Sequence, residues 1–124
     1  MPLTCLIVDD SFEFFEAAAQ LLAGDGLKVV GFATTSDEAV EAALALRPGV
    51  ALVDVDLGAE SGFDVAQRLA ELPGGGPPIV LISAESGSEL AELVDASDAL
   101  GFVSKTDLSG DAVRNVLDHS GARG

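Results

Sequence analysis

Short, nearly continuous apolar runs alternate along the chain with longer segments in which apolar residues recur every three or four positions. LTCLIV (3–8), LKVVGF (27–32), VALVDV (50–55), PIVLI (78–82) and ALGFV (99–103) predict strands, and their continuous apolarity suits a sheet covered on both faces. In the first intervening segment Phe14, Ala17, Ala18, Leu21 and Leu22 share one helical face, and the helix is expected to end at Gly24. A second helix is predicted with Ser36 as its N-cap and Asp37 and Glu38 in its first turn, stopping before Pro48. A third is predicted over 61–72, halted by PGGGPP (73–78), and a weaker fourth over about 87–96. The last begins after Ser109 and turns Ala112, Val113, Val116 and Leu117 inward, leaving SGARG as a fraying end.

Five β-α pairs in strict alternation predict one α/β domain, a parallel sheet with right-handed crossovers and helices on both faces. Ligands of such sheets sit outside the carboxyl ends of the strands. Strand one ends in Asp9 and Asp10, strand three in Asp54, strand four in Ser83, and strand five is followed by Lys105. Strand two offers only Ala33 and Thr34, as suits an edge strand. Adjacent carboxylates such as Asp9 and Asp10 resist ionising together unless a cation or strong donors compensate. The convergent acids would form an all-oxygen site for a hard divalent cation, Mg²⁺, and Lys105 would offset the remaining charge or hold an anion beside the metal.

A formal net charge of −15, with only 6 scattered Lys and Arg, argues against direct nucleic-acid binding and against an anionic membrane surface. The single cysteine, Cys5, lies in an apolar run and reads as a buried, inert thiol. The start, MPLT, lacks a basic n-region, and no apolar stretch approaches the roughly 20 residues that span a bilayer. A soluble, cytoplasmic domain is expected.

LIVDDS, LVDVDLGAESG with Gly62 after Asp54, LISAES and GFVSK occur in order at strand ends. With these four motifs the chain resembles the receiver domain of bacterial two-component response regulators over nearly its whole length. The resemblance implies a flavodoxin-like (βα)5 sheet of order 2-1-3-4-5, a receiver domain over residues 1–119 and a flexible tail over 120–124. It implies a phosphorylation-dependent switch rather than an enzyme, with at most slow self-phosphorylation and self-dephosphorylation. Asp54 matches the phosphoacceptor, which takes a phosphoryl group from a sensor histidine kinase or phosphotransfer protein. Asp10, Asp54 and the backbone carbonyl of Asp56 match the Mg²⁺ ligands, and Asp9 matches the residue that holds a metal-bound water. Ser83 and Lys105 match the groups that bind phosphoryl oxygens, and Phe102 matches the aromatic that changes rotamer on activation. The output partner is unspecified, and homodimerisation on phosphorylation is compatible with the family. Up to Glu71 the sequence looks most like receivers joined to helix-turn-helix output domains.

Several features depart from the family pattern. Leu57-Gly58 stands where Met-Pro is usual, which predicts a looser loop beside the metal. Thr106 follows Lys105 in place of a cis proline, which predicts either a trans bond with altered loop geometry or a strained cis bond. Asp56 and Glu85 add negative charge near the expected phosphoryl group and should alter its lifetime. Phe12 and Phe15 lie near the acidic rim, and Phe15 is a candidate for kinase docking. Two rival readings remain: a receiver-like interaction module that is not phosphorylated, and a Mg²⁺-dependent phosphatase of the haloacid dehalogenase type, whose DxD motif Asp54 and Asp56 mimic. Those phosphatases are longer and carry the acidic pair last.

Overall fold

The structure, a computed structural model, describes residues 3–84 and 88–121. Five strands, β1 (Leu3–Val8), β2 (Leu27–Ala33), β3 (Val50–Asp54), β4 (Ile79–Ser83) and β5 (Gly101–Ser104), form one parallel sheet of order β2-β1-β3-β4-β5. They alternate with α1 (Phe12–Gly24), α2 (Ser36–Leu46), α3 (Gly62–Ala70), α4 (Ser88–Asp95) and α5 (Gly110–Gly121). The expected fold and strand order are those observed. Residues 122–124, part of the expected tail, lie outside the described residues.

Alternate residues of the central strands point to opposite faces, and each face has its own core. Leu6, Val8, Ala51, Val53, Ile79 and Leu81 pack with α2, α3 and Val94 of α4. Cys5, Ile7, Val50, Leu52, Val80 and Ile82 pack with α1 and α5. Both faces of β1, β3 and β4 are therefore buried, which is why their sequences read as unbroken apolar runs. Cys5 is fully buried and burial pushes its thiol pKa up to about 12, so it is protonated and unreactive at neutral pH. As expected, Ala112, Val113, Val116 and Leu117 of α5 face this second core.

Two local expectations are corrected. In α1 the buried residues are Ala18 and Leu22, with Phe14 and Phe15 half-buried, whereas Ala17 is exposed and Leu21 is 46% exposed. The helix contacts the sheet chiefly at edge strand β2, so its inward stripe is narrow. The N-cap of α2 is Thr35, whose hydroxyl accepts the Glu38 amide at 3.1 Å. Ser36 is instead the first helical residue, buried, with its side chain engaged by Glu60 and Arg68. Among the described residues no helix is long and apolar enough to cross a membrane.

Candidate functional site

β1 and β3 are neighbours, but the helices after them lie on opposite faces of the sheet, so the chain diverges at their carboxyl ends. Such a switch point leaves a crevice in a doubly wound sheet. Asp9 follows β1 directly and is fully buried; its amide donates to Ala33 O at 3.0 Å and its Oδ1 accepts the Ser11 amide at 2.9 Å. Asp10, one residue on, is exposed, so the adjacent acids of LIVDDS diverge into different environments. Ser11 then caps α1 by accepting the Phe14 amide at 3.2 Å.

Asp54 closes β3, is 6% exposed, and accepts the Asp56 amide on Oδ1 at 3.1 Å. The chain turns sharply after it, with the Gly62 amide donating to Val55 O at 2.9 Å. A Cβ at Gly62 would stand 2.0 Å from the Asp54 carbonyl oxygen, so only glycine permits this return. Ser83 ends β4, buried beside Ser104 of β5.

Lys105 follows β5 and reaches back to the acids. Its Nζ lies 2.8 Å from Asp9 Oδ2, 3.0 Å from Asp54 Oδ2, and 4.2 Å from the centre of the Phe14 ring. The bond to Thr106 is trans, and residues Lys105–Asp107 form a short 3-10 turn in which Ser104 Oγ and Thr106 Oγ1 lie 2.9 Å apart. Of the two geometries expected for this bond, the trans one is found.

Carboxylate oxygens of Asp9, Asp10 and Asp54 lie within 4.8 Å of one another. Beside them opens a cleft of about 360 Å³ lined by Asp10, Asp54, Val55, Asp56, Gly58, Ser83 and Ala84. Burial raises the Asp9 pKa, and Lys105 and the Ser11 amide only partly oppose it. Burial also works against the Lys105 charge, but its hydrogen bonds and ion pairs with Asp9 and Asp54 outweigh this and raise its pKa. One ammonium thus faces a cluster of acids, and other than Lys105 no donor among the described residues reaches Asp9 Oδ2. A compact, all-oxygen, under-compensated donor set of this kind fits a hard divalent cation.

The expected side chains therefore gather on one rim: Asp9, Asp10, Asp54 and Lys105 in a cluster, and Asp56 and Ser83 along the cleft beside it. Phe102 lies on β5, paired with Leu81 and half-buried against the core beneath α3 and α4. Glu85 lies outside the described residues. Two contributions were missed. Phe14, expected on the apolar face alone, also floors the lysine with its ring. Glu60, in the loop after β3, grips α2, a contact spanning 24 residues that no local pattern announces.

Residues 5–116 match the response regulator receiver domain family. The chain belongs to that family. The receiver domain of the response regulator NarL from Mycobacterium tuberculosis is 30% identical, with a TM-score of 0.77 and 96% of each chain covered. The receiver domain of a modulated diguanylate cyclase from Desulfovibrio desulfuricans G20 is 28% identical, with a TM-score of 0.77, over 97% of this chain and 94% of that one. A LuxR-family response regulator from Aurantimonas sp. SI85-9A1 shares the fold at a TM-score of 0.84 and 20% identity, over 98% of this chain and 87% of that one. Comparison with curated protein sequences returns no match. Membership of the receiver family, whose members are phosphoacceptor signalling switches, removes the haloacid dehalogenase rival. Mg²⁺ binding at an acidic pocket is a family property, and Asp9, Asp10 and Asp54 of this receiver form an acidic cluster.

Proposed function

We propose that this receiver is phosphorylated on Asp54 and that residues 1–119 act as the switch unit. The observation that carries the reading is the gathering of Asp9, Asp10 and Asp54 oxygens within 4.8 Å at the strand ends, with Lys105 bonded to two of them. Asp10, Asp54 and the carbonyl of Asp56 would hold Mg²⁺ directly, and Asp9 would hold a metal-bound water. When bound, the cation supplies charge neutralisation that lets an anionic phosphoryl group approach a carboxylate.

This chain's residues do the rest. An Asp54 carboxylate oxygen attacks phosphorus while the P–N bond to a kinase or phosphotransfer-protein histidine breaks, and the imidazole leaves with its electron pair. Phosphoryl transfer asks mainly for alignment and for donors at the equatorial oxygens. Lys105, already 3.0 Å from Asp54 Oδ2, exchanges that carboxylate oxygen for a phosphoryl oxygen, and Ser83 binds another. Drawing Ser83 inward vacates space that Phe102 fills, which couples bonding at Asp54 to packing beneath α4.

The receiver acts as a cytoplasmic signalling switch, not an enzyme in its own right, and its output is a further domain, a partner protein or a phosphorylation-dependent homodimer. Docking of the phosphodonor would use the aromatic corner beside the acids. There Phe15 stacks on Phe32 at 4.5 Å between ring centres, and Phe12 is 57% exposed.

Acetyl phosphate with Mg²⁺ tests the assignment. Intact-mass analysis is expected to show one added phosphoryl group, absent with chelator and absent in Asp54→Asn. A protein that stays unmodified under these conditions is instead the non-phosphorylated interaction module.

A further inference from the structure

The loop after Asp54 is held by a chain of local bonds. Asp54 Oδ1 accepts the Asp56 amide at 3.1 Å, and Asp56 Oδ1 accepts the Gly58 amide at 2.9 Å. Gly58 has φ +78°, which glycine adopts without strain. The Leu57 amide donates to Glu60 O at 3.0 Å, and an isolated bridge joins Asp56 to Ser61. Leu57 is buried, 5% exposed, so the Leu57-Gly58 departure builds a closed turn with an apolar anchor.

The Glu60 side chain ties that turn sideways. Glu60 Oε1 accepts the Ser36 amide at 2.8 Å and Glu60 Oε2 accepts the Ser36 hydroxyl at 2.5 Å. Arg68 of α3 donates from one nitrogen to Ser36 Oγ at 2.6 Å and to Asp37 Oδ1 at 2.8 Å. Ser36 is 5% exposed, and its hydroxyl and amide hold the Glu60 carboxyl below its ordinary value. The bond to Ser36 uses one of the amides that the first turn of α2 would otherwise leave unpaired. The Arg68–Asp37 arm is largely exposed and contributes little by itself.

We infer that Glu60 is a positioning residue: by clamping the β3–α3 turn to the first turn of α2, it fixes where Asp56 is presented to the acidic cluster. The inference rests on the proposal that Asp56 lends its carbonyl to a bound cation. The clamp fixes the turn before any ligand arrives. Partners that orient a ligand without touching the metal typically change metal affinity by 10- to 100-fold. Leu57 and the Gly62 return still hold the turn when Glu60 is removed, so a change near the lower end, about tenfold, is expected.

The experiment is calorimetric titration of Mg²⁺ into the whole protein, with amide NMR shifts of Asp56 and Gly58 and a melting temperature for each variant. Glu60→Ala is expected to weaken Mg²⁺ binding about tenfold and to move both amide resonances in the metal-free protein, with only a small change in melting temperature. Glu60→Gln keeps an acceptor for the Ser36 amide without the charge and should recover most of the affinity. Ser36→Ala, which removes only the hydroxyl at the far end of the clamp, should give a smaller loss in the same direction. Unchanged affinity and unchanged amide shifts in Glu60→Ala overturn the clamp. Glu60→Gln as weak as Glu60→Ala also overturns it, by showing that charge alone matters. Failure of the unaltered protein to bind Mg²⁺ overturns the cation reading itself, and this role with it.

Discussion

Replacing Lys105 with methionine tests the electrostatics of the site without touching a carboxylate. Methionine matches the lysine stem in length and flexibility, so the change is chiefly the loss of the ammonium. That ammonium lies 2.8 Å from Asp9 Oδ2, and each such contact is worth about 6 kcal/mol at an effective dielectric of about 20. The same burial makes the charge costly to hold, and removing it relieves that desolvation cost, which offsets part of the lost attraction. What remains is a fully buried Asp9 carboxylate with no cation, and breaking one side of a buried pair costs about 3–5 kcal/mol. At about 4 °C per kcal/mol for a domain of this size, the melting temperature should fall by about 12–20 °C in chelator at neutral pH.

The pH dependence carries the sign. The folded-state pKa of Lys105 is raised above 10.5, so its contribution is fully present below that value and is lost only as pH rises through the folded one. Asp9 is also raised, so its charged form costs stability above the raised value and the cost is relieved as pH falls toward 3.8. With Lys105 gone, Asp9 should protonate at higher pH still, and the gap between Lys105→Met and the parent should narrow on acidification. Calorimetric melts in chelator between neutral and mildly acidic pH measure both effects. A variant that melts within about 3 °C of the parent at neutral pH, or whose deficit grows on acidification, refutes the reasoning.

The remaining predictions address single features. Gly62→Ala must move the Asp54 carbonyl by more than a side-chain adjustment allows, because its Cβ would sit 2.0 Å from that backbone oxygen; denaturant melts should show a loss of at least about 3 kcal/mol, and Asp54 phosphorylation should fall with it. Phe14→Leu keeps an apolar side chain but removes the ring face 4.2 Å from Lys105, for a loss of about 1 kcal/mol in urea melts, and Phe14→Tyr should restore it. Asp56→Asn removes a charge beside the cleft and should change the decay rate of the phosphorylated form measurably; equal rates would show that the Asp56 side-chain charge does not set that lifetime. Phe12→Ala, at the exposed ring of the aromatic corner, should slow phosphotransfer from the cognate kinase more than from acetyl phosphate, and equal slowing would exclude docking there.

The parallel sheet was legible because β1, β3 and β4 are buried on both faces and must be apolar at nearly every position. Once those runs are strands, the rule that parallel sheets gather chemistry at their carboxyl ends places Asp9, Asp54, Ser83 and Lys105 together. What escaped were contacts made by side chains far apart in sequence. Ser36 looked like a helix cap because its residue type suits one, yet Thr35 caps α2 and Ser36 is drawn to Glu60, 24 positions away. The buried stripe of α1 is narrower than its periodicity predicts, because periodicity gives a helix's apolar face but not how much sheet lies beneath it. Phe14 belongs to that face, and nothing local reveals that Lys105, just after the last strand, comes to rest on its ring.

The most direct test is a crystal structure of the protein with Mg²⁺ and beryllofluoride, which mimics a phosphoryl group on a carboxylate. The account predicts beryllofluoride on Asp54, its fluorines within hydrogen-bond reach of Lys105 and Ser83, and Mg²⁺ on Asp10, Asp54 and the carbonyl of Asp56. Beryllofluoride on another residue, or Mg²⁺ bound away from Asp10 and Asp54, would contradict it.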